Sequence, residues 1–461
     1  MAGTFSSINT ALTALRYQQV ALDIASTNVA NVGTDGYVRR RVVGETLGAA
    51  SGPALWSRSN DTASGVQTSR VDRMTDALLD VRVRREHGRQ AYLDMRALSM
   101  ARVETGLAEP GDNGVAHALG KFRAALSDAG NAPGSDAARS QVLAAANTLV
   151  DAVRLQSTHV KDEISDQQAH LDAGVTEVNT LAKNLADTNR TIAAAKAGGS
   201  DTTTLMDSRD AIALRLSTLT GAKATEQADG LMTVTLDGHE LVSGFGSATL
   251  GATAGPPTTS FELDPDASGA AHVAITSANV GGDLGATAEL LDKDLPEYLA
   301  NLAQVAKDLA DHVNAAHSSG YDASGAAGRD LFSYVSGTPD DILGSLKVII
   351  TDPKELALSE VAGGGKDGNN ALAISQAVDV DDSYQRLVNG FGSKVNSAKQ
   401  LAGNQQALTT QVDNAREQLA GVSLDEETVN MVSAQRAYEA AARVMSTIDE
   451  VLDTLINRMA V

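Results

Sequence analysis

Cysteine is absent from this 461-residue chain. Its absence removes disulfide frameworks, thiolate-bound zinc, iron–sulfur clusters and cysteine nucleophiles together. Aromatic residues make up only 3%, with Trp56 the single tryptophan, which argues against a large pocket anchored by rings. Positive charge is also short: 37 Lys and Arg stand against 58 Asp and Glu. The resulting formal charge of -21 argues against nucleic acid or an anionic membrane as partner. No apolar run approaches the eighteen or so residues of a membrane span. Met1 to Ser6 carries no basic segment and no apolar stretch follows it, so any export is expected to proceed without a cleaved signal peptide.

Catalytic and ligand-binding patterns fail in turn. Gly363-Gly364-Gly365-Lys366 is followed by Asp367, where a phosphate loop needs Ser or Thr for magnesium. Gly244-Phe245-Gly246 lacks the third glycine of a dinucleotide turn. Asp264 to Gly269 imitates the start of a calcium loop, but its twelfth position is Ile275, which has no carboxylate to offer. The eight histidines are scattered; His312 and His317 stand five apart on a helix, on different faces, and are expected to be solvated. Asp381-Asp382 gathers no site around it. No enzyme activity, cofactor or metal is expected.

What the chain does have is two patterned ends. From Met431, steps of three and four give Ala434, Tyr438, Ala441, Met445, Ile448, Leu452, Leu455 and Met459. This is an unbroken heptad seam, the pattern of a helix that packs lengthwise on another. Ser423 precedes it as a cap, and Asp425 and Glu426 sit in the first turn, where the helix dipole favours carboxylates. The first thirty residues repeat the pattern through Phe5, Ile8, Leu12, Leu15, Gln19, Leu22, Ser26 and Val29. Matching seams imply that the ends meet, with the body inserted between them. Gln19, Ser26 and Glu427 are polar at core steps and Ala434 fills its step thinly, so the seams look weak alone. A clasp closing a monomer and a bundle between subunits both satisfy this periodicity.

Between the ends, Asn28 to Tyr37 reads as a helix stop with left-handed turns, and Val38 to Val43 as extended. Arg39, Arg40 and Arg41 are expected to meet carboxylates of a neighbouring subunit or to form a solvated edge. Helices are expected from Asp72 to about Glu104, on to Ala129, from Pro133 to Ala197, and from Asp201 to Thr220. Met232 to Leu236, Asp237-Gly238 and Glu240 to Val242 read as a hairpin. Helix returns through Leu291 to Val313. Gly320 to Pro353 reads as loop with short strands, and from Asn370 a long helix runs to Gln418. The expected fold is mainly α: a long helical bundle with paired N- and C-terminal coiled-coil helices and a small inserted β domain. Its divisions are 1–60 with 400–461 (terminal assembly), 61–225 with 284–399 (helical bundle with short strands) and 226–283 (β insertion). Deleting residues 231 to 280 is expected to leave a soluble chain.

The ends resemble the axial proteins of the bacterial flagellum. The N-terminal pattern is met by Ala21-Leu22, Ala25-Ser26, Asn28, Ala30-Asn31, Thr34, Gly36-Tyr37 and Arg39, with Arg40 standing where a glutamine is usual. Gly421-Val422-Ser423-Leu424-Asp425-Glu426-Glu427, Gln435 to Tyr438 and Leu455-Ile456-Asn457 match the C-terminal pattern. Hook and rod proteins share these ends, but they are β-rich between them. The helical middle, with Asp72-Arg73 opening a long helix and Val313-Asn314 followed by His317, Gly320 and Asp322, is similar to the hook-associated protein 1 family.

The resemblance implies a structural segment at the hook–filament junction, exported by the flagellar type III route and placed outside the cell. It implies contact with copies of itself, with hook protein on one side and the second hook-associated protein on the other, and with an export chaperone. Neither nucleic acid nor membrane is among the implied partners. The expected assembly interface comprises the seam residues Ile8, Leu12, Leu15, Leu22, Val29, Met431, Tyr438, Met445, Ile448, Leu452 and Leu455. The motif residues Asn28, Asn31, Gly36, Tyr37, Arg39 and Leu424 complete it. A hook or distal-rod protein and a cytoplasmic helical scaffold stay open as alternatives.

Overall fold

The computed structural model describes residues 2–47, 65–255, 258–265, 272–363 and 366–454. Outside the described residues or side chains lie Phe5, Trp56, Leu455 to Met459, Gly364-Gly365 and most of the Asp264–Gly269 stretch. In chain order the elements are α1 (Ala2–Ala30), β1 (Arg40–Thr46), β2 (Val66–Arg73), α2 (Ala77–Gly106), α3 (Val115–Asn131), α4 (Asp136–Ala197) and α5 (Thr203–Thr220). Strands follow: β3 (Lys223–Glu226), β4 (Met232–Leu236), β5 (His239–Ser243), β6 (Gly246–Ser247), β7 (Thr249–Thr253), β8 (Ser260–Asp264) and β9 (Val273–Thr276). The chain returns to helix in α6 (Gly282–Glu289), a π-helical turn (Leu290–Asp294) and α7 (Leu295–Ser318). Last come β10 (Phe332–Ser333), α8 (Pro339–Ser345), β11 (Lys347–Val348), α9 (Asn369–Ala377), α10 (Asp381–Ala420) and α11 (Leu424–Asp453).

The fold is mainly helical, with long helices at both ends and small sheets in the middle. α4 is the spine. It has 62 residues, about 93 Å at 1.5 Å per residue, and opens on Ser135, whose hydroxyl accepts from Ala138 N at 3.3 Å. Its apolar face serves two cores in succession. Val142 to Val160 pack with α3, α7, α9 and the first half of α10, where Phe122 meets Phe332 edge-on at 5.9 Å. Leu171 to Ala186 pack with α5, α6 and the strands β3–β5, β7, β8 and β9. Ile164 touches both cores.

The strands form antiparallel sheets in the orders β3-β4-β5-β6 and β7-β8-β9, with β1-β2 and β10-β11 as separate pairs. Asp237 and Gly238 both take positive φ (52° and 81°), the turn that the Asp-Gly pair announces between β4 and β5. Met232, Val234, Leu236, Leu241 and Val242 are buried against α4 and α5. The strands therefore form one wall of that core, which a chain lacking residues 231 to 280 would leave uncovered.

Other differences have local causes. Asp72 and Arg73 end strand β2; the helix begins at Ala77, capped by the Asp76 carboxylate on Leu78 N (2.8 Å) and Leu79 N (3.1 Å). The Gly320–Pro353 stretch contains α8, started by a capping box between Thr338 and Asp341. The long helix expected from Asn370 divides into α9 and α10. At that break Arg123 reaches both Val378 O and Asp381, so Asp381 has a structural partner. His317 is buried, not solvated: its Nε2 accepts from Ala357 N at 2.9 Å and its Nδ1 faces Arg329 O. Burial lowers its pKa, as it must for a ring held neutral. His312 is exposed, on a different face, as its spacing requires.

Candidate assembly site: the joined chain ends

α1 packs lengthwise on α11, so the ends of the chain meet. Among the described residues, neither hydrophobic core includes a side chain of α1 or α11. On α11 the expected seam is the less exposed face: Ala434 is buried, and Met431, Ala441, Met445, Ile448 and Leu452 are half-buried. Tyr438, a seam position, is 39% exposed. Leu424 is exposed beside the cap, where the Ser423 hydroxyl accepts from Glu426 N at 3.5 Å.

On α1 the buried positions are Ala11, Ala25 and Asn28, one residue before the expected seam positions Leu12, Ser26 and Val29. Ile8, Leu15, Leu22 and Val29 are half-buried, and Leu12 and Gln19 are exposed. Small side chains let two helices approach closely, so the alanine line, and not the bulkier one beside it, is most deeply covered. Periodicity gives the step of a seam but does not choose between adjacent lines.

Below this pair lies a buried polar node. Asn28, fully buried, receives Tyr37 OH (2.7 Å) and Arg40 N (3.0 Å) on its amide oxygen. Its amide nitrogen donates to Arg40 O (2.9 Å) and to Glu427 (3.0 Å). Arg39 donates to Glu427 (2.8 Å) and Glu426 (2.7 Å), and its backbone N–H reaches Ala420 O at 2.9 Å. The polar step Glu427, weak on the seam, is thus a satisfied buried acceptor joining both ends.

Arg40 and Arg73 carry the node into the body. Arg40 is buried over the Tyr37 ring (5.1 Å) and donates to Thr204 (2.8 Å) and Asp207 (3.3 Å) of α5. Arg73 donates to Asp207 (2.8 Å) and Asp210 (2.7 Å). Burial raises the Asp207 pKa against the pull of both guanidiniums, and burial likewise raises that of Tyr37. Burial works against the Arg73 charge, but Asp210 and Asp207 hold its pKa above the ordinary value. The arginines do meet carboxylates, as their charge required; those carboxylates belong to the same chain. Arg41 alone of the three is exposed.

Gly36 takes φ +79° and ends the turn before Tyr37. Asn31 bonds back to Thr27 O (2.9 Å) and stays half-exposed. Neither Asn28 nor Gly33 uses a left-handed backbone. The sequence reading missed Arg40, Arg73, Asp207 and Asp210 as a cluster. Arg73 and Asp207 stand 134 residues apart, and no spacing announces that contact. Among the described residues no group of His, Asp and Glu could hold a metal, and no helix is long and apolar enough to cross a membrane.

Paired end helices around an inserted body, with axial motifs on both ends, define a flagellar axial subunit. The ends match family models described as flagella basal body rod protein (residues 8–37) and flagellar basal body rod FlgEFG protein C-terminal (residues 418–459). The body matches the flagellar hook-associated protein FlgK helical domain over residues 100–332. The chain belongs to the FlgK family of flagellar hook-associated proteins and is a structural component of the bacterial flagellum.

Among its relatives, flagellar hook-associated protein 1 of Bacillus subtilis (strain 168) is 29% identical, covering 100% of this chain and 99% of that one. The protein of the same description from Escherichia coli (strain K12) is 24% identical over 98% and 99%. The solved structure of the flagellar hook junction protein FlgK from Burkholderia pseudomallei shares the fold, with TM-score 0.65 and 16% identity. It covers 73% of this chain and 99% of that one.

Proposed function

We propose that the chain builds the junction between hook and filament, with no enzymatic role, by packing the outer faces of α1 and α11 against copies of itself. The observation that carries this is the unpartnered apolar surface of the terminal pair. Val429 (68% exposed), Val432, Val444 and Val451 on α11, with Leu12 on α1, face outward from a pair that, among the described residues, contributes to neither core. Exposed apolar side chains that recur on one side of a helix mark an interaction surface. The node at Asn28 and Glu427 fixes that surface relative to the body, so many copies present it alike.

Export by the flagellar type III route with a dedicated chaperone, hook protein on one side and the second hook-associated protein on the other belong to the same reading. Relatives that are flagellar hook-associated proteins, and a hook junction protein of like fold, support it. A helical middle with only small sheets favours it over a hook or distal-rod protein.

Changing the outward Val429 and Val444 together to Asp tests it. The expected result is unchanged monomer melting and normal secretion, with hooks left without filaments and the protein free in the medium. A large fall in monomer melting, or filaments in normal number, would reject it.

A further inference from the structure

A groove of about 450 Å³ runs between α2 and β3, lined by Val81, Arg84, Arg85 and Arg89 on one side and Lys223 and Thr225 on the other. Four of its lining residues are cations and none is a carboxylate, in a chain whose net charge is -21. β3 is the edge of its sheet, so no strand covers its outer rim. Arg84 forms the floor: its Nη2 donates to Ala224 O at 3.2 Å, and its buried Nε has no acceptor. Arg85 is paired with Glu86 at 2.7 Å, whereas Arg89 and Lys223 are exposed and have no ion-pair partner among the described residues.

The complement is on α4. Asp151, Leu155, Asp162 and Asp166 follow at spacings that return to one helix face, and all four are exposed, Leu155 by 53%. None of the three aspartates has an ion-pair partner among the described residues. The stripe, about 22 Å long, is long enough to span the α2 side of the groove, about 16 Å at helical rise, and is opposite to it in sign. Carboxylates around one exposed leucine also suit a groove that mixes cations with Val81 and Tyr92.

We propose that the α2–β3 groove of one copy receives the acidic α4 stripe of the next, a lateral contact in the body, separate from the terminal helices. It rests on the reading that copies stack in an axial layer. Groove and stripe are different patches, so the contact is head-to-tail and propagates from copy to copy. A strongly acidic chain that packs against itself needs such local cations to offset repulsion.

The chain has no cysteine, so introduced thiols are unique. Lys223→Cys combined with Asp162→Cys should give a ladder of linked subunits when isolated flagella are treated with a short bis-maleimide, and neither single variant should. Protein present in flagella without a ladder overturns the contact alone; protein absent from flagella overturns the axial reading beneath it. As a second check, Arg89→Glu with Lys223→Glu should lower incorporation about tenfold at unchanged melting. Co-expression with Asp162→Lys, Asp166→Lys should restore it. Loss without restoration would assign the groove to a different partner and contradict the proposal.

Discussion

The body and the terminal pair are both helical, yet they are held by different forces. In the body, side chains such as Phe122, Leu149, Leu171 and Leu302 are fully or almost fully buried in two continuous cores. In the terminal pair, Ala11, Ala25 and Ala434 are the buried apolar side chains among the described residues, and six valines or larger side chains of α11 stay exposed. What fixes the pair is polar: Asn28, Tyr37, Arg39 and Glu427. Buried apolar area supplies most of a fold's stability, whereas satisfied polar groups mainly specify geometry. The body is thus built to stand alone, and under the proposed function the ends are completed by neighbouring copies.

The largest test of this contrast removes residues 231 to 280. That deletion uncovers Leu171, Val178, Leu185 and Leu216, so the α5 half should lose cooperative melting and the protein should aggregate. A soluble, normally melting deletion would show that the strands do not wall that core.

Next comes a matched pair. Phe122→Ala should cost the monomer about 3–5 kcal/mol in denaturant unfolding. Leu452→Ala, on the terminal pair, should leave the main transition in place.

A smaller effect is pH-dependent. Glu163 is buried, which would raise its pKa, but hydrogen bonds from Arg102 (2.7 Å), Ser99 (2.6 Å) and Gln167 (2.8 Å) hold it below the ordinary carboxylate value. A depressed folded-state pKa gives stability that is present above the unfolded value and lost as pH falls through the folded one. Glu163→Gln should therefore cost about 1–3 kcal/mol at neutral pH and progressively less in acid. A cost independent of pH would assign the loss to packing.

Similar in size, and local, is Asn28→Ala. It removes the shared partner of Tyr37, Arg40 and Glu427, worth about 1–3 kcal/mol for the buried groups left unpaired. Hydrogen exchange should quicken at the start of α11 while the cores keep their protection.

Much of this arrangement could be read from periodicity and punctuation. The terminal helices, the α4 spine and the Asp237-Gly238 hairpin each rest on a signal within one stretch of chain. What escaped depended on distant contacts. The choice of Ala11 and Ala25 over Leu12 and Ser26 is made by how closely α11 approaches. The burial of His317 is made by Ala357, forty residues on. Arg123 meets the chain at the break between α9 and α10, and its contacts cannot be seen from α9 or α10 alone. Of the site, Asn28, Tyr37 and Arg39 came from the motif, whereas Glu427 looked like a defect until its partners were in place.

The most direct measurement is hydrogen exchange on the purified monomer. The division of labour described above predicts slow exchange through α3, α4 and α7, and fast exchange across residues 8–29 of α1 and 431–453 of α11. Protection of the ends as strong as that of α4 would make the terminal pair part of the folded subunit, and would contradict the claim that its stability comes from neighbouring copies.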